Sequence, residues 1–362
     1  MAANAISSDE RSENMKIPKI TPLKIGAAGI FTAAMLIAAD RIMDIQLHRG
    51  GYPDRRFSVN KRFTDFGRTR KTVRFSSGDN VLKGYIYGGD ASKGLIVFAH
   101  GIFAAHESYI GILMRLVDDG WTVFAYDATG CGESDGRNSV SLVQSAADLD
   151  AALSYVSGNR ELSALPLFIM GHSWGGFASA AVSGIRHRDI KGIVSVSGYA
   201  YPEQMLSLGA EYALGKPIAA LVVPFGKIVH RLRSGRLASL NAIDSVNSSD
   251  VPILIIHGEH DDYVDYRRVS IISKRDRITN GKAQFMTMKG IYADHVRLLY
   301  SDSTNKYRER LKAELDRLTE EHGGELPEEM HENFIRCADK ELANEPNPEL
   351  IEAAEDFFEK CL

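Results

Sequence analysis

Cysteine is scarce in this chain: three residues in 362, Cys131, Cys337 and Cys361, far apart and odd in number. That excludes a disulfide framework and leaves no paired zinc-ligand spacing. A reducing compartment is the mild inference. Neither charge dominates, since 43 Lys and Arg face 47 Asp and Glu for a net charge of −4. The chain therefore has no global basic field, and no nucleic acid partner is expected. No G-x-G-x-x-G follows a first strand and no metal cluster is visible, so neither a cofactor nor a metal is expected. There is no internal repeat and no low-complexity segment. What remains, 44% hydrophobic and 25% charged residues, is the make-up of an ordinary globular protein. It excludes a wholly disordered, collagenous or polytopic membrane chain.

Charge is unevenly distributed. Between Arg41 and Arg74 ten Lys and Arg face three acids, and between Thr319 and Leu362 fourteen acids face three Lys and Arg. Such runs are commonly solvated faces. The alternatives are that the acidic tail docks on the basic segment, or that the basic segment meets an anionic membrane surface.

Near the N-terminus, Ile25 to Ala39 carries no charge, with Lys16, Lys19 and Lys24 before it and Asp40, Arg41 and Asp44 after it. Fifteen helical residues fall short of the roughly 20 that cross a hydrocarbon core. Counting from Ile20, with Lys24 snorkelling, gives a marginal span over residues 20–39. Three readings compete: an uncleaved membrane anchor, a cleavable signal peptide, and an Ala/Gly-rich helix packed on the catalytic domain. The long n-region and the lack of a clean A-x-A site argue against the signal peptide. The expectation is a protein held at the membrane by this single segment and otherwise cytoplasmic. Lys and Arg are balanced on its two sides, so orientation stays open, as does the oligomeric state.

Beyond a basic connector, short apolar runs alternate with helical patterns. Strands are expected at Val81–Tyr87, Leu95–Ala99, Thr122–Tyr126, Pro166–Met170, Ile190–Val196, Pro252–Ile256 and Gln284–Met288. Helices are expected at Ser108–Asp118, Ser141–Val156, Arg267–Ile278 and Val296–Leu318. This alternation implies crossover connections and a mostly parallel central sheet flanked by helices. Residues 199–249 fall outside the rhythm. A connection of that length has structure of its own, commonly a lid, and it holds the apolar stretch Ile218 to Phe225. The acidic end reads as two short amphipathic helices. The expected organisation is an N-terminal segment (1–49), a connector (50–71), a catalytic α/β domain (72–318, lid about 199–249) and an acidic helical tail (319–362).

Gly171-His172-Ser173-Trp174-Gly175 fits G-x-S-x-G. The bare pattern is weak, but it directly follows an expected strand and directly precedes a helical stretch, the setting of a nucleophile elbow. A side chain at either glycine would collide with the neighbouring strand or helix. Serine is a poor nucleophile until a base removes its proton. In chain order after Ser173 come acids at a strand end (Glu259, Asp261, Asp262, Asp265) and then His295.

Here the chain resembles the α/β-hydrolase fold serine hydrolases, particularly bacterial esterase, lysophospholipase and serine-aminopeptidase-like members, over roughly residues 74–318. Four motifs carry the resemblance: His100-Gly101; Tyr126-Asp127 with Gly130-Cys131-Gly132-Glu133-Ser134; the elbow at Ser173; and His257-Gly258-x-x-Asp261 with His295. By that resemblance Ser173 is the nucleophile, His295 the general base and then acid, and Asp261 the residue that orients it. Asp262 and Asp265 lie close enough to compete for the last role. The oxyanion donors it implies are the backbone N–H groups of Ile102 and Trp174. His257 and His100 are read as structural, His100 bracing the oxyanion loop. Cys131 and Ala128-Thr129 depart from the family's pattern at the pocket mouth, which puts the substrate in doubt rather than the fold. The implied function is hydrolysis of a small-molecule ester or lipid with an apolar acyl group, through an acyl-enzyme. The alternatives are a peptidase or aminopeptidase of the same fold, with Glu203 or Glu211 to hold a substrate amine, and a non-catalytic binding protein that uses the acidic tail.

Overall fold

The computed structural model of the protein describes residues 22–47, 54–89, 92–137, 139–185 and 189–362. The chain opens with α1 (Pro22–Gln46) and then enters the hairpin β1 (Lys71–Ser77) and β2 (Asn80–Tyr87). It continues through β3 (Leu95–Ala99), α2 (Ile110–Asp118), β4 (Thr122–Tyr126), α3 (Gln144–Gly158), β5 (Leu167–His172), α4 (Trp174–Ala181) and β6 (Ile190–Val196). Between β6 and β7 (Ile253–Gly258) lie α5 (Pro202–Leu214), α6 (Lys216–Ser234) and α7 (Ala242–Asn247). β8 (Ala283–Met288), α8 (Asp302–Glu321), α9 (Glu328–Cys337) and α10 (Pro348–Lys360) complete it.

The strands form one sheet in the order β1-β2-β4-β3-β5-β6-β7-β8. β1 and β2 are antiparallel to each other, β2 is antiparallel to β4, and every later pairing is parallel. Every residue of β3, β4, β5 and β7 is buried, as strands covered on both faces must be. Side chains divide between those faces with a period of two. Leu95, Val97 and Ala99 join the layer of α3 and α4 (Leu149, Leu153, Phe177). Ile96 and Phe98 join α2 and α10 on the other side (Leu113, Leu350, Phe358). Crossover helices thus sandwich the sheet and deliver the carboxyl ends of β3, β5, β7 and β8 to one edge, where ligands of open α/β sheets bind.

Three local expectations differ from the structure. β1 is a strand that the periodicity did not reveal, because at the sheet edge only Phe75 and Ser77 of it are buried. Residues 267–278 form no α-helix, only a 3-10 turn at Ile272–Arg277. Their backbone is claimed elsewhere: Ala200 N–H donates to Val269 O (2.8 Å) and Ile271 N–H to Gly198 O (3.0 Å). α8 starts at Asp302 rather than Val296, because the Ser301 hydroxyl caps it by accepting the Thr304 N–H at 3.1 Å.

The membrane expectation is overturned. Among the described residues no helix is long and apolar enough to cross a membrane. The uncharged run of α1 is only fifteen residues, about 22 Å of helix, and Asp40, Arg41 and Asp44 follow within the same helix. Its last turns are also committed to protein. Ala39, Met43 and Leu47 are buried against Leu206, Val222 and Val229, and Arg233 of α6 holds Asp40 (2.9 Å) and Asp44 (2.8 Å). Ile20 and Thr21, which the marginal span includes, lie outside the described residues, as do Gly50 to Pro53 of the connector.

Candidate active site

Ser173 occupies the single residue between β5 and α4, at φ 59° and ψ −114°. L side chains rarely adopt this conformation, and it costs about 1–3 kcal/mol that the surroundings must over-determine. The flanking glycines make the turn feasible. A Cβ on Gly171 would lie 2.3 Å from Gly175 O in α4, and one on Gly175 would lie 2.0 Å from Ala99 O at the end of β3. Both obstacles are backbone, which has nowhere to yield.

The Ser173 hydroxyl is 3.0 Å from Nε2 of His295, and His295 Nδ1–H donates to Asp261 Oδ2 at 2.6 Å. β7 and β8 supply the two loops that carry these groups. Asp261 Oδ1 accepts the N–H groups of Tyr263 (3.0 Å) and Val264 (2.8 Å), while His257 Nε2 stands 3.1 Å from Oδ2. Burial alone would raise the Asp261 carboxyl. The hydrogen bonds from His257 and His295 outweigh it and hold the group well below the usual carboxylate range. Neither competing acid touches His295. Asp262 is exposed, and the Asp265 carboxylate accepts the N–H groups of Arg267 and Arg268 at 2.9 Å each.

On the other side of Ser173, the loop after β3 is braced by His100. Its Nδ1–H donates to Gly101 O (2.7 Å) and its Nε2 accepts Ala128 N–H (2.9 Å). Ile102 follows, then Phe103 at φ 60°. Trp174 opens α4, so its N–H has no partner within the helix. Among the described residues, neither this N–H nor that of Ile102 is taken by a protein acceptor. A family model described as serine aminopeptidase, S33, of the hydrolase type, matches residues 90–236, which hold β3, the elbow and most of the region before β7. The chain has the α/β-hydrolase fold.

No curated protein matches this chain. An esterase of Pyrococcus furiosus resembles it in two crystal forms, each at 19% identity. One has a TM-score of 0.54 and covers 76% of this chain and 97% of the esterase; the other has 0.51, with 72% and 96%. At that identity the likeness is one of fold.

The segment between β6 and β7 leans over the site. The Tyr212 hydroxyl donates to Asp262 O (3.1 Å) and Arg268 pairs with Glu211 (2.7 Å). Ile102 and Leu142, with Leu214 and Phe225 of this segment and Met35 and Leu36 of α1, each pack against the buried cluster of Ala39, Met43, Leu206, Val222 and Val229. The apolar stretch 218–225 divides by helical period: Ala219 and Val222 are buried, while Ile218 and Leu221 face outward. The two acids considered for holding an amine are both occupied, Glu211 as above and Glu203 by Arg231 (3.0 Å) and Lys227 (3.6 Å). Among the described residues no group of three His, Cys, Asp or Glu lies together in a way that could hold a metal ion.

Two residues at the site have no role that the sequence motifs assign. His172, the first x of G-x-S-x-G, and Tyr109 are both buried, and the Tyr109 hydroxyl hydrogen-bonds His172 Nδ1 at 2.9 Å. Burial and the neighbouring His295 push His172 down to about 3, so it stays neutral. The motif spells out His172; nothing local marks Tyr109.

Proposed function

We propose that this α/β-hydrolase cleaves carboxylic esters with an apolar acyl group, using Ser173, His295 and Asp261. The observation that carries the reading is the unbroken chain from the Ser173 hydroxyl through His295 to Asp261, at 3.0 and 2.6 Å. In it, His295 Nε2 takes the Ser173 proton as the oxygen attacks the ester carbonyl carbon. Asp261 fixes the tautomer that leaves Nε2 free and stabilises the imidazolium that forms. The backbone N–H groups of Ile102 and Trp174 receive the oxyanion. The tetrahedral intermediate collapses, His295 gives the proton to the leaving alkoxide, and water repeats the sequence on the acyl-enzyme to release the acid. The apolar side chains of Ile102, Leu142, Leu214 and Phe225, which all pack against one buried cluster, support an apolar acyl group. Against an aminopeptidase stands the pairing of Glu203 and Glu211 with Lys227, Arg231 and Arg268, which leaves neither acid free for a substrate amine.

The test is hydrolysis of p-nitrophenyl esters of increasing acyl length by the protein and by Ser173→Ala, beside aminoacyl p-nitroanilides, which release p-nitroaniline. Ester turnover that vanishes in the variant is the expected result. Preference for the amides, or equal turnover by the variant, would overturn it.

A further inference from the structure

A continuous line of hydrogen bonds joins the oxyanion loop to the base loop through two buried side chains. Gly101 N–H donates to the Tyr109 hydroxyl at 3.0 Å, that hydroxyl meets His172 Nδ1 at 2.9 Å, and His172 Nε2 meets His295 O at 3.0 Å. Chemistry fixes every direction along it. Gly101 N–H can only donate and a carbonyl can only accept. The hydroxyl therefore accepts at one end and donates at the other, and His172 carries its proton on Nε2. No donor or acceptor in the line is used twice. The rings are confined as well, Tyr109 against Phe98 at 5.1 Å and His172 against His295 at 4.7 Å between centroids. A Cβ on Gly101 would stand 2.7 Å from the Tyr109 hydroxyl, so the loop and this side chain are fitted to each other.

We infer that His172 and Tyr109 are positioning residues, a relay that sets the spacing between the oxyanion donor at Ile102 and the imidazole of His295. One end of the line holds the residue just before Ile102, and the other holds the backbone of His295 itself. A misplacement of about 1 Å between such groups costs on the order of 100-fold in rate. Neutrality suits this role, because a second positive charge beside the His295 imidazolium would oppose its formation, and His172 remains uncharged down to about pH 3. The catalytic consequence rests on the proposed ester hydrolysis; the relay geometry does not.

The experiment compares wild type, Tyr109→Phe, His172→Leu, His172→Gln and the double variant Tyr109→Phe/His172→Leu. It reads steady-state ester turnover together with the imidazole 1H–15N spectrum of each folded protein. Leu fills the space without donating, whereas Gln places an N–H where Nε2 stands. The relay predicts kcat losses of about 10- to 100-fold in Tyr109→Phe and His172→Leu with KM held within about 2-fold. It predicts partial recovery in His172→Gln, and a double variant no worse than the poorer single. The spectrum should show His172 protonated on Nε2 and the His295 signals shifted in Tyr109→Phe. A proton on Nδ1, equal activity of the Leu and Gln variants, or losses that multiply would overturn the relay. If wild type turns over no ester, the ester reading falls, while the spectra still decide the relay.

Discussion

The serine, the imidazole and the carboxylate differ in what each tolerates. Asp261 accepts from His295, from the N–H groups of Tyr263 and Val264, and stands within reach of His257. In Asp261→Asn an amide replaces an acceptor, and the His295 ring loses the bond that sets its tautomer. An ester kcat about 10³- to 10⁴-fold lower, with KM little changed, is expected in steady-state assays; a small loss would point to Asp262 or Asp265 instead. His172 gives a separate prediction for stability. Unfolded, it titrates near 6.5; folded, burial first and His295 second hold it down to about 3. Between those values the unfolded chain binds a proton that the native state refuses. The stability is thus fully present above about pH 6.5 and declines as pH falls toward 3, by about 1 kcal/mol per pH unit. His100, also pushed down by burial, acts in the same direction. Urea midpoints measured from pH 7 to pH 4.5 should fall more steeply for wild type than for His172→Gln. Equal slopes would refute this account. These residues also mark the limit of reading a site from sequence. Ser173, Asp261 and His295 announce themselves because the proposed acyl transfer demands those side chains in that order. Tyr109 does not, since its partner His172 is 63 residues away and only the fold brings them together.

Elements were legible where their environment is uniform. β3, β4, β5 and β7 are buried on both faces and their sequences are unbroken apolar runs, so burial writes itself into composition. β1 lies at the edge with one covered face, and Lys71, Thr72, Arg74 and Ser76 dilute its signal. The segment 267–278 has helical spacing, but pairing with residues 198–200 decides its conformation, and no local pattern reports that. Close approach of elements gives the sharpest test at this scale. Gly175→Ala would put a methyl 2.0 Å from Ala99 O and 2.8 Å from His100 O, wedging α4 away from β3. A loss of about 3 kcal/mol in stability, read from the denaturant midpoint, is expected along with most of the ester turnover. An unperturbed midpoint would mean that the elbow is looser than this packing implies. The join of α1 to α6 is of a different kind, because one guanidinium, Arg233, holds both Asp40 and Asp44. Arg233→Ala should cost about 1–2 kcal/mol and speed tryptic cleavage at Arg41. Unchanged cleavage would show that Ala39, Met43 and Leu47 hold the helix alone.

Taken over the whole molecule, the two charge runs meet. Arg56 reaches Glu328 (2.6 Å) and Glu332 (3.0 Å) of α9, and Lys61 pairs with Glu341. Lys61 is buried, but the Arg56 pairs are exposed, worth about 0–1 kcal/mol each and screened by salt. They register α9 on the connector without holding the fold. α10 is different in kind. Leu350, Ile351, Ala354, Phe357 and Phe358 are buried, Phe358 meets Trp121 and Phe168 at 5.7 and 4.9 Å, and Glu355 accepts the Trp121 indole N–H at 2.9 Å. Just ahead of α10, Asn347 donates its N–H to Leu299 O (3.1 Å) and its side-chain amide to Leu298 O (2.9 Å), tying down the turn after His295. Two outcomes follow from this division. Raising NaCl to about 1 M should move the melting temperature little, because only the exposed pairs respond. Phe358→Ala should cost about 3–5 kcal/mol, and truncation after Leu318 should yield aggregated chain rather than a smaller active enzyme. The truncation strips the α10 part of the cover from one face of the sheet and frees the turn that follows His295. A soluble, active product ending at Leu318 would show that α10 is dispensable and that the sheet face beneath it needs no cover.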